Sequence, residues 1–156
     1  MRWTRERLGY ALIGVGGGGL LDGFVLHQLL QWHHLWSSRT SDTTVEGLEE
    51  NTLADGIFHT AALLVLVAGI ALLVGRRVEG RALVGLALVG WGVFNLVDQF
   101  VFHLALGAHH IRMDAGNPEV YDWAFAAFGA LLGAVGWVVV RSARPAETPA
   151  PARAAR

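Results

Sequence analysis

Leu20-Leu21-Asp22-Gly23-Phe24-Val25-Leu26-His27 and Leu96-Val97-Asp98-Gln99-Phe100-Val101-Phe102-His103 are one apolar pattern written twice, 76 residues apart. Six residues beyond each closing His stands a pair, His33-His34 and His109-His110, at the same offset. Agreement of rare residue types inside two apolar segments points to an internal duplication. A looser echo joins Asp55-Gly56-Ile57-Phe58 to Asp122-Trp123-Ala124-Phe125, each opening a further apolar segment. A repeat is thus two apolar segments. If both cross a membrane, each repeat returns the chain to its starting side. The two halves then point the same way, about a pseudo-twofold axis along the membrane normal. The duplication breaks at His59, which corresponds to Ala126.

Composition agrees with a membrane setting. The chain is 53% hydrophobic and 16% charged, against about 25% charged residues in ordinary soluble domains, and its mean hydropathy is +0.43. Apolar stretches run over 8–36, 53–75, 82–108 and 121–141, each near the ~20 residues a helical span needs. The expected fold is all-α: an integral membrane four-helix bundle of two parallel-oriented two-helix repeats, about 8–75 and 82–141, within a membrane domain 1–141. Residues 142–156, rich in Pro, Ala and Arg, read as a disordered cytoplasmic tail. Arg2, Arg5 and Arg7, then Arg76, Arg77 and Arg81, then Arg141 and Arg144 alternate with acidic connections holding Asp42, Glu46, Glu49 and Glu50 or Asp114 and Glu119. That alternation places both termini in the cytoplasm. A cleaved signal peptide is the rival reading of the N-terminus, but Asp22 stands where its cleavage site belongs. The absence of Cys excludes disulfides and thiolate chemistry. A net charge of −1 with scattered Arg leaves no nucleic-acid footprint.

At about 100° per residue, His27, Gln31 and His34 share one helix face, and Asp22 shares another with His33. His103 and His110 are split from Asp98 and His109 in the same way. His27, His59 and His103 lie at similar depth, roughly 10–13 Å below the outer end of their spans at about 1.5 Å per residue. Asp22 and Asp98 lie deeper, where an Asp costs about 2.5–3.5 kcal/mol and calls for an interior partner. The glycine run from Gly14 to Gly19, and Gly129 with Gly133, are read as setting close helix crossings. Neutral imidazole is the commonest metal ligand, and a carboxylate on its far nitrogen fixes its tautomer. The candidate metal ligands are therefore His27, His59, His103, His33, His34, His109, His110 and Asp55. Asp22, Asp98, Gln31 and Asn95 are expected to support them. The outer His-His pairs would receive the ion. Imidazole with carboxylate and no sulfur suits copper(II) or iron, with zinc behind them. A purely structural His–Asp network and a proton path stay open as alternatives.

The stretches Asp22-Gly23-Phe24, His27-Gln28, Leu30-Gln31-Trp32-His33-His34, Asp55-Gly56-Ile57-Phe58-His59, Phe94-Asn95-Leu96-Val97-Asp98, His103, His109-His110 and Tyr121-Asp122 resemble an uncharacterised family of predicted bacterial membrane proteins of unknown function. The resemblance covers nearly all the chain except its tails. It carries no established activity. It implies a bacterial cytoplasmic membrane and links the chain to respiratory-oxidase assembly and copper handling. The expected function is transition-metal binding near the outer face. The alternatives are a membrane di-metal oxidoreductase and a bis-His haem b protein with His27 and His103 as axial ligands, so enzymatic activity is left undecided. The expected partners are the lipid bilayer and a metal ion, with a second copy or a respiratory-complex subunit as protein partner.

Overall fold

The computed structural model describes residues 3–142; the expected disordered tail lies, from residue 143, outside the described residues. Four long helices account for the fold, and no strand occurs among the described residues. Helix α1, Arg5–Asp22, runs on as a π-helical segment, Gly23–Leu29; α2 is Val45–Ala71. Helix α3, Gly80–Val97, likewise runs on as a π-helical segment, Asp98–Ala105; α4 is Pro118–Ser142. Counted with their π segments, the four are 25–27 residues long and apolar enough to cross a membrane. At about 1.5 Å per residue each exceeds the ~30 Å hydrocarbon core.

Helix ends depart from the apolar stretches for local reasons. Helix α2 begins at Val45 rather than near 53, because the Thr44 hydroxyl accepts from the Gly47 amide at 3.1 Å. Glu46 then sits in its first turn, where the helix dipole favours negative charge. The first long helix stops at Leu29 rather than 36, and the chain turns back at Gln31, which has φ 49°. Gly107, 76 residues on, makes the equivalent turn with φ 57°. These two turns send His33 and His109 back into the molecule.

The helices pack in the order α2, α1, α3, α4, with α1 and α3 in the middle. Glycine makes the contacts close. A Cβ on Gly14 would strike the Ala87 carbonyl, and one on Gly90 the Ala11 carbonyl. The outer pairs use the same device: Gly9 lies on Gly69, and Gly85 on Gly136. These glycines and Gly129 are thus occupied by helix crossings, whereas Gly17 and Gly133 meet nothing within 4 Å. The interior is polar and the exterior apolar. Among the described residues, twelve buried side chains are polar or charged and seven are apolar, while Leu64, Val74, Leu131 and Val138 are each at least 60% exposed. That inversion suits a chain whose surroundings are lipid.

Candidate metal centre

The π segments decide what faces the interior. In a regular α-helix residues five apart lie about 140° apart around the axis, which is why the sequence separates Asp22 from His27. The register of the π segments is i→i+5, as in Leu30 N–H to the Val25 carbonyl at 2.8 Å and Leu106 N–H to the Val101 carbonyl at 2.9 Å. This winding brings Asp22 Oδ2 within 3.4 Å of His27 Nε2, and Asp98 Oδ2 within 3.1 Å of His103 Nε2. The expected split into two polar stripes is therefore overturned by the change of winding.

The far side of each ring is held equally firmly. His27 Nδ1 donates to Asp55 Oδ1 at 2.8 Å, and His34 Nδ1 to Asp55 Oδ2 at 2.7 Å. The Leu35 amide completes this carboxylate at 2.9 Å. In the second half His103 Nδ1 donates to Asp122 Oδ1 at 3.0 Å, His110 Nδ1 to Asp122 Oδ2 at 2.6 Å, and the Ile111 amide to Oδ1 at 2.8 Å. Phe58 stacks on His27, and Phe125 on His103, at ring centroids 5.6 and 6.0 Å apart.

His33 and His109 cross between the halves. His33 Nδ1 donates to the Ile111 carbonyl at 2.8 Å, and His109 Nδ1 to the Leu35 carbonyl at 3.1 Å. A carbonyl only accepts, so both rings carry their proton on Nδ1 and present a lone pair at Nε2. Their rings stack at 4.5 Å and 5°. His27 flanks His33 at 4.5 Å, and His103 flanks His109 at 4.3 Å. Burial and the neighbouring imidazoles hold His33 well below the ordinary histidine range. Burial likewise brings His109 down to about 4, so both are neutral at pH 7.

Two groups result. Asp22, His27 and His33 bring one ligand atom each within 4.8 Å of one another, as do Asp98, His103 and His109. All six residues are buried, and the Nε2 atoms of His33 and His109 and Oδ1 of Asp22 have no hydrogen-bond partner. A lone pair facing a carboxylate and a second imidazole in a buried site is electrostatically unfavourable unless a cation or a proton lies between them.

The remaining candidates fall around this centre. Asp55 has both oxygens engaged, by His27, His34 and the Leu35 amide, while Asp22 and Asp98 each belong to one of the two groups. His33 and His109 lie inside the cluster rather than at an outer port. His34 and His110 are one step out, on the anchoring carboxylates. His59 belongs to neither group. Its ring packs over Gly23, where a Cβ would strike it, and lies 6.0 Å from His27. Gln31 sits on the exposed turn, away from the cluster. Asn95 is fully buried with neither amide atom partnered. Asp122 was visible as the echo of Asp55 and within the family motif Tyr121-Asp122, but not as a partner of His103 and His110. The Leu35 and Ile111 carbonyls, being backbone, leave no sequence signal.

Motif and fold agree with one family. The chain belongs to the family described as "Predicted membrane protein (DUF2243)", whose model matches residues 9–143. No curated protein and no solved structure matches the chain. The family description gives a membrane location and no activity, so any chemistry must come from the side chains themselves.

Proposed function

We propose that the chain is a membrane protein that holds transition-metal ions in the paired Asp-His-His groups, Asp22–His27–His33 and Asp98–His103–His109. The observation that carries this reading is the unpartnered Nε2 of His33 and of His109, in residues that each bring a ligand atom within 4.8 Å of one from another imidazole and one from a carboxylate. Asp55 and Asp122 act as the carboxylates that fix the ring tautomers, a supporting role that metal-bound His regularly has. Two imidazoles and one carboxylate form the donor set of non-haem iron sites, and copper(II) is the second choice. Iron or copper handling, or assembly of a respiratory oxidase in a bacterial cytoplasmic membrane, is the role this supports, with the acidic connections on the outer side.

A second reading is a di-metal oxidoreductase. It is favoured by the three protein donors per group, which leave coordination positions open, as catalytic sites do. A haem between His27 and His103 does not fit, because the stacked rings of His33 and His109 fill the space between them. The test is elemental analysis of detergent-purified protein after loading with iron or copper. Stoichiometric metal in the wild type, lost in His27→Ala/His103→Ala, is the expected result. Full metal content in the double variant, or none in the wild type under any loading, overturns the reading.

A further inference from the structure

Beside Asp22 a cavity of about 380 Å³ opens between α1, α3 and α4. Its walls carry the rings of Trp32, Trp91, Tyr121, Phe125 and Phe128. Asp22 and Asn95 lie against it among those rings. Asn95 is 0% exposed, and neither its amide nitrogen nor its oxygen has a partner; Asp22 Oδ1 is also unpartnered. The corresponding residue in the first half is Gly19, so this polar group has no equivalent across the molecule.

The outer end is closed. The Arg112 guanidinium lies over the Trp32 ring at 5.2 Å and the Tyr121 ring at 5.5 Å, and the Met113 amide donates to the Trp32 carbonyl at 3.0 Å. The rim is formed by Leu21, Val25 and Phe128, which are 47%, 38% and 45% exposed. In a bilayer that rim faces hydrocarbon, so an occupant enters sideways from the lipid phase.

We infer that this cavity binds a membrane-soluble molecule with a flat ring bearing oxygen substituents, of the quinone and quinol class. An acyl chain would fill the volume but leave the Asn95 amide and Asp22 Oδ1 unpaired, and an unsatisfied buried polar group costs about 1–3 kcal/mol. A ring carbonyl accepts from Asn95 Nδ2, and a ring hydroxyl donates to Asp22 or to the Asn95 oxygen. The aromatic walls suit a flat ring through offset and edge-to-face contacts. The inference deepens the metal reading, because Asp22 belongs to both sites and would set the ring beside the first metal group. Occupation of the cavity itself needs no metal.

The test uses the full-length protein in phosphatidylcholine nanodiscs, with decylubiquinone titrated against tryptophan fluorescence, both metal-loaded and after chelation. Trp32 and Trp91 line the cavity and report occupation by quenching. Saturable quenching is expected, with an apparent Kd raised at least about tenfold in Asn95→Leu and in Ala124→Phe, which narrows the cavity from α4, and unchanged in Val138→Ala. Ala124→Phe covers the case in which Asn95→Leu fails to fold. Non-saturable quenching that is identical in all variants means simple partition into lipid and overturns the inference. Displacement of the probe by equimolar oleate overturns it too, in favour of an acyl occupant. Saturable binding to a protein that takes up no metal leaves the cavity standing and removes the metal reading; metal uptake without saturable binding does the reverse.

Discussion

At the scale of single residues, the two halves differ where a large side chain has moved from one helix to its neighbour. Gly23 with His59 in the first half corresponds to Gln99 with Ala126 in the second. Gly23 has no Cβ because the His59 ring occupies that space. Gln99 and Ala126 are both buried, at 0% and 6% exposed. Gly23→Ala is therefore expected to destabilise the protein by about 1–3 kcal/mol, the usual cost of overpacking. His59→Ala should recover most of that loss, since the two residues share one volume. Thermal unfolding of the two single variants and the double variant in detergent measures the coupling, and simple additivity would show that Gly23 and the His59 ring do not share one volume. The anchoring carboxylates allow a second prediction. Asp55→Asn or Asp122→Asn should keep the metal stoichiometry but weaken affinity about 10–100-fold, the range for lost supporting groups. Competition with a chelator of known affinity reads the difference. Loss of stoichiometry instead would make these residues direct ligands.

At the scale of elements, the helices obey glycine placement more than apolar periodicity. Within the run Gly14 to Gly19, Gly14 faces the Ala87 carbonyl, whereas Gly17 meets nothing within 4 Å. Gly14→Ala should thus force α1 and α3 apart and lower the unfolding temperature. Gly17→Ala should raise stability by about 0.5–1 kcal/mol, because alanine is the better helix former. Opposite signs three residues apart would establish the crossing, and equal signs would remove it. The existence of four helices was legible in the apolar stretches, and His27 and His103, 76 residues apart, each lie between two carboxylates. The relation of Asp22 to His27 was not legible. A helical wheel at 3.6 residues per turn sets them apart, and nothing in the residue types announces a π-helical segment. The crossing of His33 and His109 between halves was hidden for a different reason. It depends on turns at Gln31 and Gly107 that point the chain inward, and only Gly107 is a residue that marks such a turn.

At the scale of the whole molecule, the direction of the two halves decides whether the paired groups form one centre. The contacts α1 makes with α3 follow a parallel course: Gly14 meets Ala87, Gly18 meets Trp91 and Gly19 meets Phe94, both numbers rising together. Parallel neighbours predict that both halves cross a bilayer in the same sense, with the connections 30–44 and 106–117 on one side and the connection 72–79 on the other. The charge pattern predicts that the acidic pair faces outward. Because the chain has no cysteine, single substitutions report this without background. Thr43→Cys and Asn117→Cys, at exposed positions in the first two connections, should react with a membrane-impermeant maleimide on intact cells. Arg77→Cys, exposed in the third, should react only after lysis. If Thr43→Cys and Asn117→Cys labelled from opposite sides, the halves would be inverted. His33 and His109 could then no longer exchange hydrogen bonds with Ile111 and Leu35, and the two Asp-His-His groups would lie on opposite faces of the membrane.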